Sequence, residues 1–268
     1  MHDLHDLRDL QDPKTNDMRS LIISCILFST FLLTFPAGAQ IGRRFPSEKK
    51  VVTDPLTGVQ QTILTSSQSG NSKIYNTQRQ WTADGKWLVF RSRRVPGETL
   101  AVNEESGDIV QVTEGAYMGV QTLASKSMML YFMRMNLRQV GQTKPGPVQI
   151  VEVDLDGLFA DSEAGQLKAE NEYQRVCGTI PAEVGAGGSM ALDAGEDWVY
   201  YRIGKAEAER RIASGMKIDA NIGPGNMEDG PSGIGKMNIK TGETGLVVIL
   251  PFQVGTIQSN PSVPGEIV

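Results

Sequence analysis

The sequence predicts an all-β chain, built as an incomplete β-propeller of WD-like, four-stranded blades. Three observations carry this reading. Apolar residues alternate with a period of two rather than 3.6. One turn-then-strand unit recurs along the chain. The turns between apolar runs hold Asp-Gly, Pro-Gly and Ser-Gly pairs, where a backbone with positive φ is needed.

The elements follow in order. Asp84-Gly85 makes a turn, and Trp87 to Arg93 makes the strand after it. A turn at Pro96-Gly97 leads into the strand Thr99–Asn103, and Glu105-Ser106-Gly107 turns into Asp108–Thr113, so 78–113 is one meander. The opening unit returns at Ala124–Arg134, with Met129 at the Trp87 position 42 residues on. It returns at Ala194–Tyr201, with Trp198 another 69 residues on, and starts again at Pro264–Val268, with Ile267 a further 69 on. A closing turn and strand are expected at Glu152–Gly157 and at Met237–Val248. A repeat of about 40–45 residues with four strands is the spacing of a propeller blade. A β-sandwich with similar hairpins is the alternative. The longer spacings require insertions, and Asp161–Glu172 and Lys205–Ile212, of helical composition, are expected to form them on one rim.

On this count residues 40–268 hold about three blades and part of a fourth. Lys50–Asp54 and Gln60–Thr65 flank a turn at Pro55–Gly58 and read as outer strands of a blade whose inner strands come from the far end of the chain. Glu266–Val268 falls inside what should be a buried strand, an edge that native proteins avoid exposing. The expectation is therefore the N-terminal part of a longer propeller.

With 40% hydrophobic and 21% charged residues among 268, neither disorder nor a disulfide scaffold is expected. A net charge of −5 gives no electrostatic footprint for nucleic acid. Met18-Arg19, the apolar run Leu21–Phe35 and the small residues up to Ala39 describe a secretory signal, with cleavage after Ala39. Residues 1–39 are read as an upstream extension plus that signal. The run is shorter than the roughly 20 residues a bilayer needs. No stable membrane span is expected after cleavage, and the mature chain is placed in the periplasm or outside the cell. His2, His5 and Cys25 go with the leader, so the body keeps only Cys177 and can build neither an internal disulfide nor a His/Cys metal site.

Candidate binding residues sit near the first strand. Arg91 and Arg93 alternate with Ser92 and share a face, with Arg94 and Lys86 near; such a basic wall suits substrate carboxylates. Ion pairs with Glu104, Glu105 or Asp108 are the other reading. Asn71, Lys73 and Gln78 precede the first strand, where a propeller's funnel opens, and suit sugar hydroxyls or turn hydrogen bonds equally. Gly230–Met237 nearly spells a phosphate loop but lacks the Ser/Thr after Lys236, and a strand follows it. Asn221–Gly230 is read as a surface loop rather than a calcium loop, and Met128, Met129, Met133, Met135 and Cys177 as core.

The opening Asp54–Gly58 with Ile63-Leu64-Thr65, the stretches Asn71–Phe90 and Ala101–Gly115, the Lys240–Glu243 region and Phe252–Pro261 together resemble the oligogalacturonate lyase family, over most of 50–268. The resemblance implies a seven-bladed parent fold. It implies an intact protein that cleaves short oligogalacturonates by β-elimination, with manganese bound through histidines. A cation that neutralises a uronate carboxylate makes the proton α to it more acidic, and a base within reach removes that proton. The family's catalytic Arg and His and its metal-binding histidines belong to blades after position 268, and where many members have His-Pro this chain has Asn260-Pro261. No catalytic or metal residue is therefore carried over, no cofactor is expected in this chain, and the fragment is expected to be inactive. The expected partner is an acidic oligosaccharide, with Asn71, Lys73, Gln78, Arg91, Arg93 and Asn260 as the binding candidates. The alternative is a non-catalytic secreted propeller that binds protein or carbohydrate, like the Tol-system type.

Overall fold

The structure, a computed structural model, describes residues 40–135, 146–218 and 230–268. The leader, and all but the last residue of the Asn221–Gly230 loop, lie outside the described residues. The described chain is all-β, with four antiparallel sheets and few helices.

A short strand β1 (Arg44–Phe45) precedes a hairpin of β2 (Lys50–Thr53) and β3 (Gln60–Ile63). Three meanders follow. The first is β4 (Asn71–Lys73), β5 (Trp87–Ser92), β6 (Thr99–Asn103) and β7 (Ile109–Gln111), with β1 added outside β7. The second is β8 (Met118–Leu123), β9 (Met129–Met135), β10 (Val148–Asp154) and β11 (Gln174–Ile180). The third is β12 (Met190–Leu192), β13 (Trp198–Ile203), β14 (Ser232–Asn238) and β15 (Thr244–Leu250). The recurring position lies where the sequence puts it: Trp87, Met129 and Trp198 each begin the second strand of a meander. One backbone bond closes each opening turn, from Thr82 N–H to Trp87 C=O at 3.0 Å, from Ala124 to Met129 at 3.0 Å and from Asp193 to Trp198 at 2.8 Å.

The meanders stack face to face, and alternate residues of one strand serve opposite sides. On β9, Tyr131 and Met133 pack toward Val199 and Tyr201 of the third sheet, while Leu130 and Phe132 pack toward Val89, Ala101 and Val110 of the first. Each such side chain contributes about 1.5–3 kcal/mol when fully buried. The outer face of the first sheet is covered in part by Phe45 and Leu64, and that of the third by Val254 and Ile257. Trp87 stacks on Phe159 with ring centroids 4.0 Å apart.

One turn design joins the third and fourth strands of the first and third sheets, and it also closes the β2–β3 hairpin. The side-chain Oδ1 of Asn103, Asn238 or Asp54 accepts from the amides two and three residues on. The amides of Gly107, Gly242 and Gly58 then donate to the carbonyls of those same residues, each at 2.9 Å. These glycines hold φ of 77°, 72° and 73°, a region that disfavours side chains.

The second sheet departs from the expected pattern. Glu152–Gly157 was expected to turn into a strand, but Asp154 instead caps helix α1 (Leu155–Ala164), its Oδ1 accepting from Gly157 N at 3.1 Å. The fourth residue after Asp154 is Leu158, not glycine, so the left-handed turn is disfavoured and the chain continues helically. The expected helix over Asp161–Glu172 is thus moved back, with a single 3-10 turn at Glu170–Glu172. The second insertion is a helix as expected, α2 (Lys205–Ala213). The two helices do not share a rim. α1 joins a third strand to a fourth and α2 joins a second to a third, and successive connections of a meander emerge at opposite ends of the sheet.

A carboxylate ties the second sheet to the third. Glu196, at φ 59°, accepts from the amides of Ser125 and Lys126 and the hydroxyl of Ser127, each at 2.7 Å. Burial pushes the Glu196 carboxyl up, but the Ser127 hydroxyl and the two amides outweigh it and hold it below the usual range. The stabilisation is complete above the ordinary glutamate range and is lost as pH falls through the lowered value. Glu196→Ala is expected to cost about 2 kcal/mol at neutral pH, the scale of hydrogen bonds to a charged group. The loss should shrink in acid, as measured by urea denaturation across a pH series.

Candidate functional site

The edge strand β4 organises the region that the sequence singled out. Asn71 and Lys73 do not precede the first strand of their meander; they form it. Asn71 faces Ser92, Ser72 faces Arg91, and Lys73 faces Phe90. Residues directly opposite share a face, so Asn71 and Lys73 lie on one side of this sheet and Arg91 on the other.

The two arginines have different roles. The Arg91 guanidinium donates to the Lys73 carbonyl at 3.1 Å and to the Ile74 carbonyl, so it holds β4 in place. The acidic residues offered as alternative partners are not used: Asp108 pairs with Arg44 at 2.7 Å. Arg93 is exposed, and among the described residues its guanidinium has no hydrogen-bond or ionic partner. Lys86 sits at the opposite end of β5, away from this group, and Arg94 pairs with Glu48 at 2.9 Å.

Asn71, Arg91 and Arg93 meet around an open cleft of about 550 Å³, with Ser72, Glu98 and Tyr117. Sequence reading missed Glu98 and Tyr117. Glu98 follows Pro96-Gly97 and so looks like an exposed turn residue, yet it is 5% exposed. Its carboxylate accepts from the Thr113 hydroxyl at 2.7 Å and from the amides of Ala116 and Gly115 at 2.9 and 3.1 Å. Burial pushes the Glu98 carboxyl above the usual range; these donors offset part of the rise, and the charge on Glu114 adds to it. Glu98 thereby fixes the connection that carries Tyr117, where Ala116 takes φ 62°.

The other candidates lie elsewhere. Gln78 lines a separate cleft of about 310 Å³ with Arg79, Ser125, Asp193 and Ser259, where the inner strands end. Lys73 lines a third groove of about 460 Å³ with Leu64, Leu88 and Phe90. Asn260 builds a turn: its Oδ1 accepts from Ser262 N at 2.8 Å and its amide donates to Glu266 at 2.6 Å. The segment resembling a phosphate loop runs into β14, where a Cβ on Gly235 would come within 2.6 Å of the Tyr201 ring. Met133 is fully buried, and burial pushes the Cys177 thiol up to about 12, so it is unreactive near neutral pH.

Manganese finds no fitting donor set here. Among the described residues no group of three or more His, Cys, Asp or Glu is placed to hold a metal ion, and His2 and His5 lie outside them.

No protein-family model matches the sequence, and no curated protein matches it. Solved structures do. An oligogalacturonate lyase in complex with manganese is similar over 82% of this chain and 52% of its own, at 18% identity and a TM-score of 0.57. An oligogalacturonate lyase from Vibrio parahaemolyticus is similar over 84% of this chain and 52% of its own, at 17% identity and a TM-score of 0.57. The resemblance to oligogalacturonate lyases holds at the level of fold. A putative TolB from Agrobacterium tumefaciens gives a TM-score of only 0.36 at 16% identity, over 64% of this chain and 48% of its own, too low to indicate a shared fold. The chain spans about half the length of the solved structures it matches.

Arg91→Ala is expected to destabilise by about 1–3 kcal/mol, because it strips the donor from the Lys73 carbonyl of β4 and the Ile74 carbonyl just after it. Arg93→Ala is expected to stay within about 0.5 kcal/mol of the parent. Chemical denaturation of the two variants side by side checks the contrast.

Proposed function

We propose that this chain is part of a propeller-type lyase acting on oligogalacturonates, and that the Arg93 cleft grips a uronate carboxylate of the substrate. In this reading the three meanders are blades, and the leader sends the protein to the periplasm. The observation that carries the proposal is the exposed Arg93 guanidinium, without a partner among the described residues, beside Asn71 on an inner-strand edge. The lyase-like fold supports it.

The chemistry explains the residue types. In β-elimination a base takes the proton α to the uronate carboxylate, that electron pair forms a C=C bond, and the bond to the departing glycosidic oxygen breaks. The departing oxygen then takes up a proton. A guanidinium on the carboxylate stabilises the negative charge that builds there and orients the sugar bidentately. Asn71 offers two N–H donors and a carbonyl acceptor to neighbouring hydroxyls. Both are assigned to holding the substrate, not to proton transfer.

Titration of the full chain with digalacturonate, followed by calorimetry, tests this. Binding is expected, and Arg93→Ala should weaken it about tenfold or more, the worth of one charge-assisted contact. Absence of binding, or binding indifferent to Arg93, overturns the assignment. Ultraviolet absorbance of unsaturated uronate is expected to stay flat with this chain alone. Its appearance would show that the base also lies in these residues.

A further inference from the structure

We propose that Tyr117 is the platform on which a galacturonate ring stacks, and that Glu98 is the residue that positions it. The proposal rests on the substrate reading of the Arg93 cleft and adds what makes that cleft select one sugar configuration.

Tyr117 borders the cleft together with Asn71, Arg91 and Arg93. It is half-buried and packs on the apolar cluster between the first and second sheets, which supports it from behind. An aromatic ring backed by core and open to a cleft is a rigid apolar wall. The three groups assigned to the ligand come from three segments: Asn71 from β4, Arg93 from the connection after β5, and Tyr117 from the connection that leads into β8. Their spacing is set by whatever ties these connections together, and Glu98 does so. It ends the connection that begins at Arg93, and its buried carboxylate takes the Thr113 hydroxyl and the amides of Gly115 and Ala116 from the other. The Tyr117 amide adds to the same contact by donating to Gly97 C=O at 3.3 Å. Gly115 and Ala116 both hold positive φ, 97° and 62°. A glycine takes that conformation without strain, but the Cβ of Ala116 disfavours it. Joining β7 to β8 does not require two consecutive left-handed residues clamped by a buried carboxylate; their effect is to aim the residue that follows.

A galacturonate ring has the surface to match. Its axial 4-oxygen leaves C3–H, C4–H and C5–H together on the opposite face, one apolar patch for an aromatic wall. Its carboxylate and equatorial hydroxyls stay on the rim of the ring, where Arg93 and Asn71 take them. In a glucuronate ring the 4-oxygen is equatorial, so C4–H turns to the other face and the patch is broken. A guanidinium reads the carboxylate of either sugar equally. Tyr117 therefore supplies the discrimination that Arg93 does not, through burial of C–H surface rather than through charge.

Calorimetric titration of the full chain with digalacturonate, and with a diglucuronate of the same linkage, tests this. The parent is expected to favour digalacturonate by about tenfold, and Tyr117→Ala to remove that preference by weakening digalacturonate alone. Tyr117→Phe should keep it, because the ring and not the hydroxyl carries the contact. Glu98→Gln should lower the preference while diglucuronate binding stays in place; an equal loss for both sugars overturns its positioning role. Arg93→Ala should weaken both sugars together. If digalacturonate binding needs Arg93 but ignores Tyr117→Ala, or if Tyr117→Phe loses as much as Tyr117→Ala, this inference is overturned and the substrate reading stands. If no digalacturonate binds, the substrate reading fails and takes this inference with it.

Discussion

The second sheet is apolar on both faces, and the rest of the structure depends on that. A sheet with one buried face can end against solvent, but one with two must be sandwiched. Tyr131 and Met133 call for the third sheet, and Leu130 and Phe132 for the first. A stack of antiparallel meanders follows from the alternation of β9 alone, before any loop is considered. It also explains why β9 is a nearly unbroken apolar run, whereas β5 mixes Val89 and Phe90 with Arg91.

Face-to-face burial is non-directional, so something else must set how the sheets register. Buried or half-buried glutamates do this by holding the amides of a turn from a neighbouring segment. Glu196 spans from the third meander to the opening turn of the second. Glu48 takes the amides of Ser66 and Ser67 at 2.7 and 2.9 Å while pairing with Arg94. Glu98 takes those of Gly115 and Ala116. Paired amides of a tight turn converge on one carboxylate, and charge-assisted bonds are the strong ones. Two of the contacts involve non-glycine residues at positive φ, Ala116 and Glu196, so the geometry is held against a local conformational cost.

Much of the fold was legible in the sequence because its signals are local. Turn chemistry and period-two alternation put Trp87, Met129 and Trp198 at equivalent places, and the third-to-fourth-strand turns carry Gly107 and Gly242 four residues after an Asn. The helix α1 was misplaced because Asp154-Leu155-Asp156-Gly157 resembles that turn, with the glycine one position early. That single offset separates a hairpin from a capped helix. The sides of the insertions were misjudged for a topological reason: composition marks a helix but not which connection of the meander it fills. The site was half legible. Arg91 lies on β5 but Arg93 lies one residue past its end, and their different roles depend on β4, which sequence reading did not recognise as a strand. Glu98 gave no signal, since its burial comes from Thr113 and the 115–116 amides, more than a dozen residues away.

The inner edges of the three meanders are not equivalent, and this difference sets the first apart as the candidate binding surface. β12 is buried along its length and β8 over most of its length, whereas every residue of β4 is exposed. Exposed edge strands are costly to keep unpaired, and proteins usually blunt them with charge. Here Lys73 and Arg93 supply the charge, while Arg91 satisfies carbonyls that would otherwise be bare. Of these groups, Arg91 and Arg93 line the open cleft with Asn71, whereas Lys73 lines a separate groove. An anionic, hydroxyl-rich ligand can use those groups without displacing any bond the fold needs, because Arg93, unlike Arg91, is not committed to the backbone. Stability thus rests with Arg91, and the proposed recognition with Arg93 two residues on.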